Sequence, residues 1–193
     1  SVDDFGRRKQ GYRHDFYNYA GLARSVRLYS TPRSFISDVT VVTDVDGTSG
    51  VVRYEVDTQG PGEVSVQVMD AAGVVVASAP GAARELRVPD AKLWAPGVGN
   101  LYELRVTLQD ADTVVDEYTL SVGIRSVRVD GARFLINGEP FYFRGFGKHE
   151  DSAIRGRGFD AALMVHDFAL MKWTGANSFR TSHYPYAEEF LDY

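Results

Sequence analysis

The 193 residues contain no cysteine, so neither a disulfide framework nor a thiolate metal centre can exist in them. No Asn-x-Ser/Thr acceptor for N-glycosylation occurs. Both absences fit a cytoplasmic protein. No apolar run is long enough to span a bilayer, and Ser1 opens no signal-like apolar segment, so no membrane partner is expected. Positive charge is also short. The formal charge of −5 excludes a broad nucleic-acid surface, and Arg7-Arg8-Lys9, the one dense basic run, reads as a solvated loop. What the chain does have is an ordinary globular balance, 44% hydrophobic and 24% charged, with eleven Tyr and eleven Phe. So many rings point to an aromatic core or a sugar-facing surface.

Residues 1–31 hold a ring-rich stretch at 12–19 and an alternating segment, Ser25-Val26-Arg27-Leu28-Tyr29, that reads as a half-buried strand. Too short to bury a core, they read as the tail of a preceding β domain. Pro32 marks the boundary, because the residue before a proline is pushed into extended geometry. From 32 to 126 the period is two. Val52, Tyr54 and Val56 alternate with Arg53 and Glu55; Val64, Val66 and Val68 follow, then Tyr102, Leu104, Val106 and Leu108. Turn residues divide these runs at Asp46-Gly47, Gly60-Pro61-Gly62, Ala72-Gly73, Pro80-Gly81 and Asp110-Ala111-Asp112. Some seven short strands in this pattern predict an antiparallel immunoglobulin-like sandwich, without the Cys-Trp-Cys core. Trp94, beside a strand, reads as structural.

The pattern changes over 127–193. Asp130-Gly131 and Asn137-Gly138 are tight turns framing Phe134-Leu135-Ile136, a hairpin that leads into a strand at Phe141-Tyr142-Phe143. Asp160 is placed to cap a helix from Ala161 to Trp173, with Met164, Phe168 and Met171 as its apolar stripe and Gly175 as its left-handed stop. A second strand is expected over residues 176–179. The order strand, polar loop, helix, strand, polar loop predicts the first two units of a (β/α)8 barrel, in which loops at the carboxyl ends of the strands form the active-site face. Those loops are Gly145-Phe146-Gly147-Lys148-His149-Glu150-Asp151 and Asn177-Ser178-Phe179-Arg180-Thr181-Ser182-His183-Tyr184-Pro185. The last residues, Leu191-Asp192-Tyr193, read as the first turns of a new helix, so a segment of a longer protein is expected.

Common motifs fail here. His149-Glu150 lacks a second histidine at zincin spacing, and Gly145 with Gly147 lacks the third glycine of a dinucleotide fingerprint. Ser182 and His183 are adjacent on an extended segment and point apart, a poor nucleophile–base pair. His149, Asp151 and His183 could hold a metal only if the fold gathers them; no metal and no cofactor is expected. Asp151 is open between an exposed or capping carboxylate and an acceptor for a sugar hydroxyl. His183 is open between a core imidazole and a site residue, and Arg180 between a structural ion pair and a site cation.

The second loop resembles a signature of glycoside hydrolase family 2, in which Asn, Arg and Ser-His-Tyr-Pro follow the second barrel strand. The likeness extends through Tyr186-Ala187-Glu188-Glu189 and includes Asn18-Tyr19-Ala20-Gly21, Leu101-Tyr102-Glu103-Leu104, Gly123-Ile124-Arg125-Ser126, Phe134-Leu135-Ile136-Asn137-Gly138, Arg155-Gly156-Arg157-Gly158-Phe159-Asp160 and Met164-Val165-His166-Asp167. Within the family, the His149-Glu150-Asp151 loop is most similar to that of members acting on glucuronides. The resemblance implies a jelly-roll domain ending within 1–31, the sandwich at 32–126, and a catalytic barrel starting at 127–193. It further implies a carbohydrate (glucuronide) substrate, retaining hydrolysis and a homo-oligomeric full-length enzyme. It implies two catalytic glutamates, neither within these residues, so the segment alone is expected to be inactive. By the same resemblance Asp151 and His183 meet the substrate, while Arg180, Asn177 and His149 support the site. Three positions depart from the family pattern: Ser152-Ala153 stand where Ala-Asp is usual, Arg157 replaces a common Lys, and Leu22-Ala23-Arg24 lacks a His before Arg24. Two rival readings are a non-catalytic sandwich module for carbohydrate binding or assembly, and a family 2 enzyme acting on galactosides or mannosides.

Overall fold

A computed structural model of the chain describes Phe5, Gly6 and residues 21–193. Arg7-Arg8-Lys9, the ring-rich stretch at 12–19 and most of Asn18-Tyr19-Ala20-Gly21 lie outside the described residues. The described part divides into two compact units, one of Leu28–Arg144 and one combining the N-terminal residues to Arg27 with Gly145–Tyr193.

The first unit is built on β1 (Phe35–Asp46), β2 (Ser49–Gln59), β3 (Glu63–Met69), β4 (Val75–Pro80), β5 (Ala83–Val88), β6 (Tyr102–Asp110) and β7 (Thr113–Val122). They form the seven-stranded sandwich, with sheets in the orders β1-β2-β5 and β4-β3-β6-β7, every pair antiparallel. The inward set is the one the alternation marks: Val52, Tyr54, Val56, Val64, Val66, Val68, Tyr102, Leu104, Val106 and Leu108 are all buried in one cluster with Ile124. A side chain pointing to one face in two places every second residue in the core, so a one-residue slip would turn all of them to water. The hairpin turns fall where glycine or short polar residues can take positive φ, as at Gly47 (61°) and Gly73 (78°). Asp70 closes the latter turn by accepting from the amides of Ala72 and Val74, each at 2.9 Å.

Three short strands follow in the same unit, β8 (Val127–Asp130), β9 (Arg133–Ile136) and β10 (Glu139–Pro140), ordered β10-β9-β8. The expected hairpin is therefore a three-stranded meander. Asn137 fastens it. Held at φ 53°, it donates from its side-chain amide to the Trp94 carbonyl (2.9 Å) and accepts from the Ser126 amide (3.0 Å). Trp94 lies against Gly123, with the Arg125 guanidinium 4.6 Å over its ring. Phe141-Tyr142-Phe143 is not a strand. The rings of Phe141 and Phe143 pack with Phe134 at 6.4 and 4.8 Å, and the Phe141 amide bonds to the Phe134 carbonyl. The apolar signal there belongs to a ring cluster.

The second unit holds β11 (Gly145–Lys148), α1 (Ala161–Trp173), β12 (Ser178–Thr181) and α2 (Glu188–Asp192). The two strands pair in parallel, Gly145 with Ser178 through Lys148 with Thr181, which with α1 between them is one β/α crossover. They lie four and two residues later than the apolar runs suggest. A Cβ at position 145 would overlap the Ser178 carbonyl, so close approach demands glycine and makes the strand inconspicuous in sequence. α1 starts and stops as expected: the Asp160 carboxylate accepts from the Leu163 amide at 3.1 Å, and Gly175 sits past the end at φ 77°. Met164 and Phe168 pack with Phe179, Tyr186 and Phe190 in this unit's own core. Residues 25–29 form no strand and are exposed. A strand exists only through ladder partners, and none is present among the described residues. No helix among the described residues is long and apolar enough to cross a membrane.

Candidate active site

Parallel pairing sets the two polar loops side by side. The Lys148–Thr181 pair ends the ladder, and the Ser182 amide continues it by donating to the Lys148 carbonyl at 3.0 Å. The Tyr186 hydroxyl donates to that same carbonyl. From this point His149, Glu150 and Asp151 leave one strand and Ser182, His183 and Tyr184 the other.

Alternation along the strands sorts their side chains. On one face Phe179 packs edge-on to Phe168 at 5.7 Å, and the Lys148 ammonium reaches Asp167 of α1 at 2.5 Å. On the other, Arg180 lies opposite Gly147 in the register. A Cβ at 147 would sit 3.4 Å from the Arg180 guanidinium and 3.1 Å from the Ser182 hydroxyl, so glycine leaves room for both. The Arg180 Nε donates to that hydroxyl at 3.3 Å. Ser182 is buried, at 2% exposure, and His183 exposed; the two are not on an extended segment, and the peptide between them is cis. Asn177, immediately before β12, accepts from the Ser178 hydroxyl at 3.1 Å.

Three of the expected site residues, His149, Asp151 and His183, gather near Tyr184, while Arg180 bonds to Ser182 and Asn177 to Ser178. The His149 and His183 rings are 5.5 Å apart, edge to face, and His149 lies 5.9 Å from the Tyr184 ring. The Tyr184 hydroxyl donates to Asp151 Oδ1 at 2.8 Å and accepts from the Glu150 amide at 2.8 Å. Arg157 lays its guanidinium 4.1 Å over the Tyr184 ring, its Nε 3.7 Å from Asp151 Oδ1. Burial, foremost, pushes the Tyr184 phenol up to about 12, helped by its bond to Asp151 and by the carboxylates of Asp151 and Glu150, and opposed by the Glu150 amide. Tyr184 is thus a neutral donor at any ordinary pH. Asp151 caps no helix; Ser152 instead closes a tight loop with Gly156 through reciprocal backbone bonds of 2.8 and 3.0 Å. A groove of about 800 Å³ runs from Asp151 past Ile154, Arg155 and Arg157, with Leu22 on its wall. Among the described residues no three His, Asp or Glu side chains are grouped to hold a metal ion.

Glu150 turns the other way. It is 7% exposed; Oε2 meets the Arg24 guanidinium at 2.5 Å and Oε1 accepts from the Ala187 amide at 3.0 Å. Arg24 also donates to the carbonyls of Arg157 (2.6 Å) and Pro185 (3.1 Å). Sequence reasoning missed this clamp and the part played by Tyr184. Nothing in the spacing links residues 24 and 150. Tyr184 had a signal, its place between His183 and Pro185 on a loop facing Asp151.

Comparison with known proteins gives the family. The family model for glycosyl hydrolases family 2 matches residues 33–125, and the model for the TIM barrel domain of the same family matches 127–193. The chain belongs to glycosyl hydrolases family 2. Among relatives, this family 2 chain is 56% identical over 189 residues to a beta-glucuronidase of Paenibacillus borealis, covering 97% of the chain and 32% of that protein. It is 50% identical over 187 residues to the beta-glucuronidase of Homo sapiens, covering 92% of the chain and 29% of that protein. A crystal structure of Ruminococcus gnavus beta-glucuronidase superposes with a TM-score of 0.95 at 43% identity, over 100% of this chain and 33% of that one. The same enzyme in complex with D-glucuronic acid matches with a TM-score of 0.81 at 44% identity, over 83% and 28%. The chain therefore spans about a third of the length of the relatives it matches.

Proposed function

We propose that this chain is a segment of a retaining β-glucuronidase, contributing one wall of the pocket that holds a terminal β-D-glucuronoside. The observation that carries the reading is the gathering of His149, Asp151 and His183 at the carboxyl ends of two adjacent parallel strands in a family 2 chain. The similarity to proteins named beta-glucuronidase supports the substrate. In this reading Asp151 accepts a hydrogen bond from a sugar hydroxyl and His183 faces the same sugar. Arg180 supports the ionised state of a catalytic carboxylate by its charge, and Asn177 and His149 hold the surrounding geometry. Retention requires a nucleophile and an acid/base carboxyl roughly 5–5.5 Å apart across the anomeric carbon. Both are glutamates outside the 193 residues, so the segment alone turns nothing over.

The domain division follows the same reading: the end of a jelly roll at 1–31, a sandwich at 32–126 and the start of the barrel at 127–193. A cytoplasmic homo-oligomer completes it. The test is hydrolysis of aryl glycosides by the full-length protein. Faster turnover of the β-D-glucuronide than of the galactoside is expected; the reverse order overturns the substrate, and no turnover of any glycoside favours a non-catalytic module.

A further inference from the structure

We propose that Tyr184 is a positioning residue for Asp151, fixing one carboxylate oxygen so that the other is presented to the sugar, with Arg157 as the plate that holds the tyrosine ring in place. The inference rests on the reading of Asp151 as a substrate acceptor.

The geometry is a three-point lock. The phenol has one proton and gives it to Asp151 Oδ1; its oxygen in turn takes the Glu150 amide proton, both at 2.8 Å. Hydroxyl and backbone therefore agree on a single direction for the hydrogen bond, since a tyrosine whose oxygen receives a fixed amide proton must point its own proton elsewhere. Swinging the whole side chain about χ1 would break both bonds together. Arg157 covers the ring at 4.1 Å and adds positive charge 3.7 Å from the same Oδ1. Asp151 Oδ2 has no hydrogen-bond partner among the described residues, and the carboxylate edges the groove of about 800 Å³. An aspartate held at one oxygen loses its side-chain rotation before substrate arrives, which is what preorganisation requires. Burial, which pushes the phenol up to about 12, keeps it a protonated donor at neutral pH.

A purely structural tyrosine would fill the same volume, so the test must separate filling from positioning. In the full-length protein, Tyr184→Phe keeps the ring under Arg157 and removes only the hydroxyl. It should lower kcat/KM about 10- to 100-fold, the size expected for a buried hydrogen bond lost and a misaligned acceptor. The same substitution made on top of Asp151→Asn should change kcat/KM less than about twofold, because a residue acting through Asp151 has nothing further to act on. Equal losses in both backgrounds would overturn the proposal. Arg157→Lys keeps charge and loses the plate, and should give an intermediate loss that also vanishes beside Asp151→Asn.

The kinetics are run on whichever aryl glycoside the wild-type protein hydrolyses fastest, so a galactoside preference overturns the substrate reading and leaves the positioning one under test. A crystal structure of the Tyr184→Phe protein decides the matter without turnover. Asp151 in a changed or divided rotamer supports the lock; Asp151 unmoved overturns it.

Discussion

Replacing Arg24 by methionine tests whether the clamp beneath the site is held by charge. Glu150 keeps only 4% of its side chain exposed, against 34% for Arg24, so water reaches the arginine but hardly the carboxylate. Taking the arginine away strands a buried anion with the Ala187 amide as its remaining partner. Breaking a buried pair by deleting one member costs about 3–5 kcal/mol. The partial exposure of Arg24 weakens the pair and admits some compensating water, which brings the figure to about 2–3 kcal/mol. For a unit of barrel size this is a fall of about 4–12 °C in the melting transition. The chain itself matches two family 2 domain models, so the transition alone is not specific; hydrogen exchange at the Ala187 amide supplies the local readout. Glu150→Gln is the companion. It keeps an acceptor for Ala187 and removes the anion, so the double variant should be more stable than Arg24→Met alone. A loss under about 0.5 kcal/mol for Arg24→Met, or a double variant less stable than the single, would refute the reasoning.

Gly145→Ala should prevent stable pairing of β11 with β12, since the new methyl has backbone and not a flexible side chain in its way; the measurement is the yield of soluble protein at two growth temperatures. Asn137→Ala removes two hydrogen bonds and puts alanine at φ 53°, so the sandwich unit should lose about 2–3 kcal/mol, read by denaturant titration. The raised Tyr184 phenol means the folded state favours the neutral form. Its stabilisation is complete below pH 10 and lost as pH climbs from 10 to about 12, and a tyrosinate absorbance titration of Tyr184→Phe against wild type should lack that late-ionising group.

The sandwich was legible because each of its strands carries both signals at once. Val52, Tyr54 and Val56 alternate with charged residues, and the runs end at residues that tolerate turns. The helix was legible for a different reason: Asp160 and Gly175 bracket an apolar stripe, and both do in the fold what their chemistry allows. The parallel strands were misplaced by a few residues because their defining feature is space. Gly145 and Gly147 have no side chains to mark a strand, yet they are what lets Ser178 and Arg180 approach. The nearby rings of Phe141 and Phe143 carry the stronger apolar signal and spend it on Phe134. In the site, Asp151, His149 and His183 could be picked out as polar groups following strands. The pairing of Arg24 with Glu150 across 126 positions, and the direction of one tyrosine hydroxyl, are properties of the folded chain alone.

Burial within the two loops has a logic that bears on how substitutions should be read. Each loop leaves its strand with a buried polar residue: Glu150 between the half-buried His149 and Asp151, and Ser182 before the exposed His183. In each loop the buried residue is fastened through partners of its own, while its neighbour toward the groove has others, as Asp151 has Tyr184. Glu150 is fastened to Arg24 and Ala187, and Ser182 to Arg180 and the Lys148 carbonyl. The anchoring and presenting tasks thus fall on different side chains of the same loop. Substitutions at Glu150 or Ser182 should first appear as lost stability, with activity following as the backbone loosens. Substitutions at the exposed His183 should fall first on activity, whereas Asp151, tied to Tyr184 and faced by Arg157, should lose both activity and loop order.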